Sequence, residues 1–471
     1  MQTTSTSRFY VYSVSAIAAL AGLLFGFDTG IISGALLFIE KDFIISTEMK
    51  EMIVSSVLVG AMFASLFSGR LTDKFGRRRV MIIISTLFVI GTLIASLTSS
   101  ISGILLGRLF IGLAIGIGSY TAPLYIAEIA PFELRGGLVS LNQLAITLGI
   151  LSSYIINFAF TGIDGSWRWM FGIGLLPAIL LSIGMLFLPE SPRWLVKQNR
   201  REDAIKILKR LRNTQNVKQE VDEIENSLQV KQAGFREIFA PWIRPVLLLG
   251  AGLGFIQQVT GINTIIYYAP TIFQLAGFPD ASSSILATVG IGVVNVLATI
   301  FAIMYLDKLG RRPLLLAGLI GMCVTLAGLS FAFHFGSDMG LLRWAALACV
   351  FLYIICFAFS LGAILWLAVS EIFPLEVRAT AMGVAVFSCW LWNLAVSATF
   401  LSLLNAFGPS QTFLIYAVMC VFSYVFCYYK MPETRGVTLE QIENNIRQRL
   451  PLRQIGQPVE PNNAPGVLSN D

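Results

Sequence analysis

Two ionisable residues stand where hydrocarbon is expected to surround them. Asp28 lies in "LLFGFDTGIISG", residues 23–34, inside one long apolar stretch, and Arg108 lies inside another. Either charge alone costs several kcal/mol within a bilayer, so each must be paired, wetted or neutralised. Helical rise converts position into depth: Asp28 falls ~6 Å and Arg108 ~8 Å to the same side of their span centres. The two are therefore expected to pair. Burial disfavours an ionised carboxyl and a guanidinium favours it, so moving Arg108 relative to Asp28 would switch the site's affinity for a proton. The structural alternatives are an Asx-type cap at a helix break and a snorkelling cation.

A second group is uncharged. Gln257, Gln258 and Asn263 fall around the middle of the seventh apolar run, Asn295 in the eighth, Asn393 in the eleventh and Gln143 in one half of the fifth. Six amides in one midplane zone are costly unless they line a wet cavity. Amides both donate and accept, which matches a neutral polyol; hydrogen bonding between helices is the alternative use. Successive helical residues point ~100° apart, so Gln257, Gln258 and Asn263 cannot share one face. The intervening Thr260–Gly261 suggests a break that lets them converge.

The elements that must hold these groups are membrane helices. Of 471 residues 56% are hydrophobic and 13% charged, and the mean hydropathy is +0.75. A soluble domain carries roughly a quarter charged residues. Apolar runs of about 20 residues, long enough to cross ~30 Å of hydrocarbon, are expected near 11–38, 51–71, 79–98, 101–126, 137–161 and 168–188. A second set follows near 245–273, 281–305, 313–335, 342–369, 380–403 and 411–430. This divides the chain into a first half, 1–188, a polar linker of short amphipathic surface helices, 189–243, a second half, 244–436, and a cytoplasmic tail, 437–471. Within the tail "PVEPNNAPG" reads as disordered. The N-terminus has no basic start or small-residue cleavage site, so the first run is expected to be retained. Cys323, Cys349, Cys356, Cys389, Cys420 and Cys427 all lie in apolar runs without metal-ligand spacing and read as packing residues. His334 reads as incidental.

The net charge of +6 sits in short loops, which argues for orientation instead of nucleic-acid binding. "GRLTDKFGRRR" after the second span holds five Lys or Arg and "DKLGRRP" after the eighth holds three, while "TSSISG", "QLAGFPDASSS" and "NAFGPSQ" hold none. Even-numbered loops and both termini are thus expected in the cytoplasm. The loops also repeat. "DKFGRRR" returns from Asp73 to Asp307, "AEIAPFELRG" from Ala127 to Ser370 as "SEIFPLEVRA", and "LPESPR" from Leu188 to Met431 as "MPETRG". Three motifs in one order at near-constant offset mark two homologous six-helix halves, an architecture that transporters use for alternating access.

The D-K-x-G-R-R loops, "PLYIAEIAPFELRG", "PESPRW", "QQVTGINTIIYYAP" and "PETRG" together resemble the sugar porter family of the major facilitator superfamily, over about residues 12–445. The likeness is greatest to bacterial proton-coupled porters for galactose, arabinose and xylose. It implies an all-α fold of twelve transmembrane helices plus short intracellular helices. It also implies a sugar site at Gln143, Gln257, Gln258, Asn263, Asn295, Trp366, Trp390 and Asn393, with Tyr267 as an extracellular gate. In such porters an aspartate at the place of Asp28 belongs to proton-coupled members. The resemblance further makes cytoplasmic gates of Asp73, Arg77, Glu128, Arg135, Glu190 and Arg193, mirrored by Asp307, Arg311, Glu371, Arg378, Glu433 and Arg435. Three positions depart from the family pattern. Ala363 replaces the proline of the span-10 bend, leaving Gly362 to supply it; Cys389 replaces an amide before the span-11 tryptophan; Ile150 replaces a glutamine, which favours a galactose- or arabinose-like site over a xylose-like one.

The resulting expectation is proton-coupled monosaccharide uptake across a bacterial inner membrane by a monomer that uses no cofactor, no metal and no nucleic acid. A passive uniporter of the same fold is the alternative. A membrane enzyme would need carboxylates or a metal cluster near a sizeable soluble region, and 189–243 is too basic and helical for that. A sugar sensor would need a longer tail, and drug efflux more aromatic and acidic features than these amides provide.

Overall fold

Hydrocarbon offers the backbone no hydrogen-bond partners, so a chain this apolar must satisfy every amide within itself, and it does so as helix. The computed structural model describes residues 5–457 apart from residue 215 and segments 229–235 and 337–338. Its twelve helices long and apolar enough to span are Phe9–Asp42, Thr47–Phe75, Arg77–Leu97, Ile101–Ile129, Phe132–Ala159 and Ser166–Phe187, then Arg244–Leu275, Ala281–Leu306, Arg311–Phe335, Gly340–Ile372, Arg378–Ser397 and Phe400–Lys430. They are called spans 1 to 12 below. Most run several residues past their hydropathy limits, because capped polar turns carry the helix beyond its apolar section. Ser46 accepts from the Met49 amide at the start of span 2, and Asp280 and Ser283 form a reciprocal capping box at the start of span 8.

One expected boundary moves. The chain does reverse within "NAFGPSQ": Gly408 takes φ 76° ahead of Pro409, and Phe400 on one side of it meets Phe413 and Tyr416 on the other, with ring centroids 6.3 Å apart in both pairs. Residues 400–407 thus prolong span 11 outward past its bend at Ala398–Thr399, and span 12 proper follows the turn. Span 10 breaks at Ser360 (φ −114°, ψ −100°), not at Gly362 or Ala363. The amides of Ala363 and Ile364 both turn back to the Ser360 carbonyl, so the bend is complete without a proline.

Between the two six-helix halves lie helices Pro192–Lys197, Arg201–Arg212 and Lys218–Leu228. They bury Trp194, Leu195, Ala204, Leu208 and Val221 among themselves. Arg212 ties them to the end of span 4 by donating to the carbonyls of Ile129 (2.8 Å) and Ala130 (3.3 Å). After span 12 a helix, Leu439–Arg447, buries Ile442 and Ile446 against the second half. The "PVEPNNAPG" stretch and the side chain of Asp307 lie outside the described residues.

Small residues set how closely the first half packs. A Cβ on Gly26 of span 1 would sit 1.8 Å from the Ile146 carbonyl oxygen of span 5, and one on Gly112 of span 4 would sit 2.0 Å from the Val57 carbonyl oxygen of span 2. These crossings place backbone against backbone, the usual way to gain contact where lipid and side chain are equally apolar. Gly26→Ala is therefore expected to cost about 3 kcal/mol or more, whereas Gly383→Ala, with nothing within 4 Å, is expected to be neutral or stabilising. Thermal unfolding in detergent of the two variants beside the parent checks both.

Candidate functional site

Asp28 and Arg108 meet. Spans 1, 2 and 4 hold the guanidinium from three sides: Nη1 and Nη2 face Asp28 Oδ1 and Oδ2 at 3.3 and 3.5 Å, Nε donates to the Ile53 carbonyl at 2.8 Å and Nη2 to that of Val54 at 3.4 Å. The Phe171 ring lies 5.8 Å away on the cation's face. Both side chains are nearly sealed, at 1% and 3% exposure, so neither charge has water to fall back on. The pair is loose, and the two carbonyls satisfy what the carboxylate leaves open.

Beside it, a cavity of about 2370 Å³ opens on the side of the linker helices and runs inward between the halves. Gln143, Gln257, Gln258, Asn263, Asn295, Trp366, Trp390 and Asn393, all eight expected binding residues, line it. Convergence of the span-7 amides depends on the expected break. The helix stops at Val259, Gly261 takes φ 92° and a new helix starts at Ile262. Across that step Asn263 Nδ2 donates to Gln258 Oε1 (2.6 Å), Gln258 Nε2 to Gln257 Oε1 (3.2 Å) and Gln257 Nε2 to the carbonyl of Leu361 (3.2 Å), just past the break in span 10. Such a chain of amides presents donors and acceptors in alternation. The Trp390 ring lies 5.5 Å from that of Phe25, which also lines the cavity.

Tyr267 stands behind this layer, buried and off the cavity wall, with its hydroxyl accepting from Asn393 Nδ2 at 3.4 Å. Near it Tyr154 of the first half donates to the Ile266 carbonyl of the second at 3.1 Å. The cavity is thus closed on the far side and open on the linker side.

The repeated charges build the same device twice, inside each half. Arg77 pairs with Glu128 (2.7 Å) and Asp73 (3.4 Å), Ser191 donates to Glu128 (2.5 Å), and Glu190 accepts from the backbone amides of Arg77 and Arg78 (2.8 and 3.1 Å). In the second half Arg311 pairs with Glu371 (3.0 Å), Thr434 donates to Glu371 (2.5 Å) and Glu433 accepts from the amides of Arg311 and Arg312 (3.1 and 3.0 Å). Burial pushes the Glu190 carboxyl up, while its three backbone N–H partners pull it down. Among the described residues, the side chains of Arg135, Arg193, Arg378 and Arg435 stay outside these clusters. Arg135 lies over the Phe132 ring (5.9 Å), Arg378 donates to the Phe373 carbonyl (3.0 Å), Arg193 lines the cavity mouth and the Arg435 amide donates to Glu433 (3.0 Å).

Sequence reasoning missed several contributors. Cys389, in sequence a packing residue in the place of an amide, donates its thiol to Gln257 Oε1 (3.2 Å) and accepts from Gln258 Nε2 (3.1 Å), holding both glutamines. Arg78 and Arg312 cap their sixth helices, through the carbonyls of Met185 (2.9 Å) and Tyr428 (2.8 Å). The signal for these two was present, as the second arginine of the repeated D-K-x-G-R-R motif. For Cys389 there was none.

Removing one partner of a buried ion pair strands the other charge, at a cost of about 3–5 kcal/mol. Arg108→Ala should destabilise the protein by that order, and adding Asp28→Asn should restore more than half of it. Chemical or thermal unfolding of both single variants and the double variant closes the cycle.

A family model described as sugar (and other) transporter matches residues 14–446. Over 455 residues the chain is 42% identical to the galactose-proton symporter of Escherichia coli strain K12, covering 96% of this chain and 97% of that protein. Among solved structures, the xylose transporter XylE of E. coli in a partially occluded inward-open conformation superposes with a TM-score of 0.81 at 31% identity, over 91% of this chain and 100% of that one. XylE bound to 6-bromo-6-deoxy-D-glucose, described as a proton:xylose symporter of the major facilitator superfamily, gives 0.79 at 33% identity, over 93% and 99%. Two repeated halves of six spans, closed on one side over an amide-lined cavity, and a match over nearly the whole length lead to one conclusion: this multi-pass membrane protein belongs to the sugar (and other) transporter family of the major facilitator superfamily.

Proposed function

We propose that the chain couples uptake of a monosaccharide to proton entry across a bacterial inner membrane, by alternating access. The observation that carries this reading is a sealed Asp28–Arg108 pair beside a cavity lined by neutral amides. The amides suit hydroxyls, the indoles of Trp366 and Trp390 suit the C–H faces of a sugar ring, and the ion pair suits a proton. Loop charge supports placing the linker side and both termini in the cytoplasm, so the cavity faces inward. The division at 188/189, 243/244 and 436/437 and a monomeric state belong to the same reading.

With the far side open, Asp28 takes a proton as Arg108 withdraws, and the sugar binds Gln143, Gln257, Gln258, Asn263, Asn295 and Asn393. Tyr267 and the far-side contacts then close, and the linker side opens. Release of the sugar lets Arg108 return to the carboxylate and expel the proton. Coupling requires that the fully loaded and empty protein change state easily and the half-loaded protein does not. The Arg77–Glu128 and Arg311–Glu371 clusters stiffen the inner end of each half, and Glu190 and Glu433 anchor them. Asp73 and Asp307 complete the set, while Arg135, Arg193, Arg378 and Arg435 are the cations that closure brings against the opposite half. A membrane enzyme is not favoured by any of these contacts.

Similar proteins are named as transporters of galactose, xylose, arabinose and glucose. These differ by an epimer or one hydroxymethyl group, so a competition panel in counterflow assigns the sugar. In proteoliposomes with an imposed pH gradient, the parent should concentrate that sugar and alkalinise the outside medium. Asp28→Asn should lose at least 90% of accumulation while keeping counterflow, because exchange needs no net proton movement. A variant at Asp28 that still concentrates sugar would falsify proton coupling through this residue and leave a uniporter.

A further inference from the structure

A third buried charge lies in the far-side half of the molecule. Glu51, in the second turn of span 2, is 4% exposed, and among the described residues no cation pairs with it. Its neighbour Lys50 pairs instead with Glu40. The Glu51 carboxylate reaches across to the second half. Oε1 accepts from the backbone amide of Ser402 at 2.8 Å and Oε2 from the Ser402 hydroxyl at 2.7 Å. Ser402 is the third residue of the helical segment that carries span 11 outward from its bend, and Thr399, just before that segment, gives it no side-chain cap. The first amides of a helix lack partners and carry the positive end of its dipole, so a carboxylate placed there is both a cap and a counter-charge. One turn away Asn405 Nδ2 donates to Thr47 Oγ1 at 2.8 Å, again from the second half to the first.

The same stretch of span 2 also holds Arg108. Two and three residues after Glu51, the carbonyls of Ile53 and Val54 accept from its guanidinium. Residues 51–54 therefore touch the charge pair on one side and the second half on the other. A helix turn is stiff, so a shift that releases Arg108 from these carbonyls moves the Glu51 carboxylate against Ser402. The contact is also reversible. When the far side opens, both a carboxylate and a helix N-terminus can be hydrated, which an apolar seal cannot match.

We propose that Glu51 latches the two halves shut on the far side by capping the outer segment of span 11, and that residues 51–54 transmit the state of the Asp28–Arg108 pair to that latch. The role is that of a positioning residue: Glu51 touches neither the cavity wall nor the ion pair. It rests on the alternating-access reading above.

Hydrogen–deuterium exchange of the full-length protein in lipid nanodiscs tests it, because a latch must show at both ends of the molecule. In Glu51→Ala, exchange should rise at 262–275 and 399–407 on the far side. It should fall around 131–143 and 366–382 at the cavity mouth, as the population moves outward by roughly tenfold, the worth of one charge-assisted hydrogen bond. Glu51→Gln and Ser402→Ala should shift both ends in the same directions by less, and they carry the test if Glu51→Ala does not fold. Faster exchange confined to 399–407, with the mouth unchanged, would reduce Glu51 to a local cap and overturn the latch. Asp28→Asn should alter exchange at the mouth in the parent but not in the Glu51→Ala background; equal shifts in both would overturn the transmission. Failure of the transport reading appears separately, as a parent protein that shows no sugar counterflow.

Discussion

A carboxylate and a guanidinium sealed from water cannot be held singly, and the first half is arranged around holding them together. Asp28 comes from span 1 and Arg108 from span 4, so the pair exists only if those helices lie close and in one register. Glycine crossings between spans 1 and 5 and between spans 2 and 4 give that closeness. Span 2 then contributes two carbonyls, Ile53 and Val54, to donors of Arg108 that the carboxylate does not satisfy. Both distances to Asp28 exceed 3.2 Å, which leaves the guanidinium held as much by backbone as by its counter-charge. A cation shared in this way can part from the carboxylate without being abandoned in hydrocarbon. That is a physical requirement for any site that must gain and lose a proton while remaining buried.

Symmetry organises the opposite end. In each half one arginine meets a glutamate from the fourth span, a Ser or Thr hydroxyl steadies that glutamate, and a second glutamate caps the helix that begins with the arginine. Gly76 and Gly310 both take φ 88°, and a Cβ at either would press on the capping carboxylate. These clusters are complete within each half while the linker side stands open. Arg135, Arg193 and Arg378 line the mouth beside them.

The amide layer belongs to the other half and follows a different logic. Spans 7 and 10 are each broken, at Thr260–Gly261 and at Ser360, and the breaks turn side chains toward the cavity that a continuous helix would scatter. Tyr353 donates to the Thr260 carbonyl at 2.8 Å, covering a backbone group that the first break leaves open. Cys389 then fixes two glutamines that could otherwise adopt many rotamers. One half thus holds the buried charge pair and the other most of the neutral amides, with span 5 adding Gln143 from across the gap.

Much of this was legible in the residues alone. Hydropathy marks the spans because hydrocarbon punishes every unpaired polar group, and the repeated loops mark the halves because copies keep their spacing. Depth counting paired Asp28 with Arg108, since helical rise is nearly constant and an isolated charge is so costly. Thr260–Gly261 announced its break because glycine tolerates φ 92°. What tertiary structure alone decided were contacts between spans far apart in sequence: the Cys389 thiol between two glutamines, Glu51 on the outer segment of span 11, and a break at Ser360, two and three residues before the glycine and alanine that the sequence offers for it. None has a local signature, because a thiol, a glutamate or a serine makes such contacts only when another helix brings the partner to it.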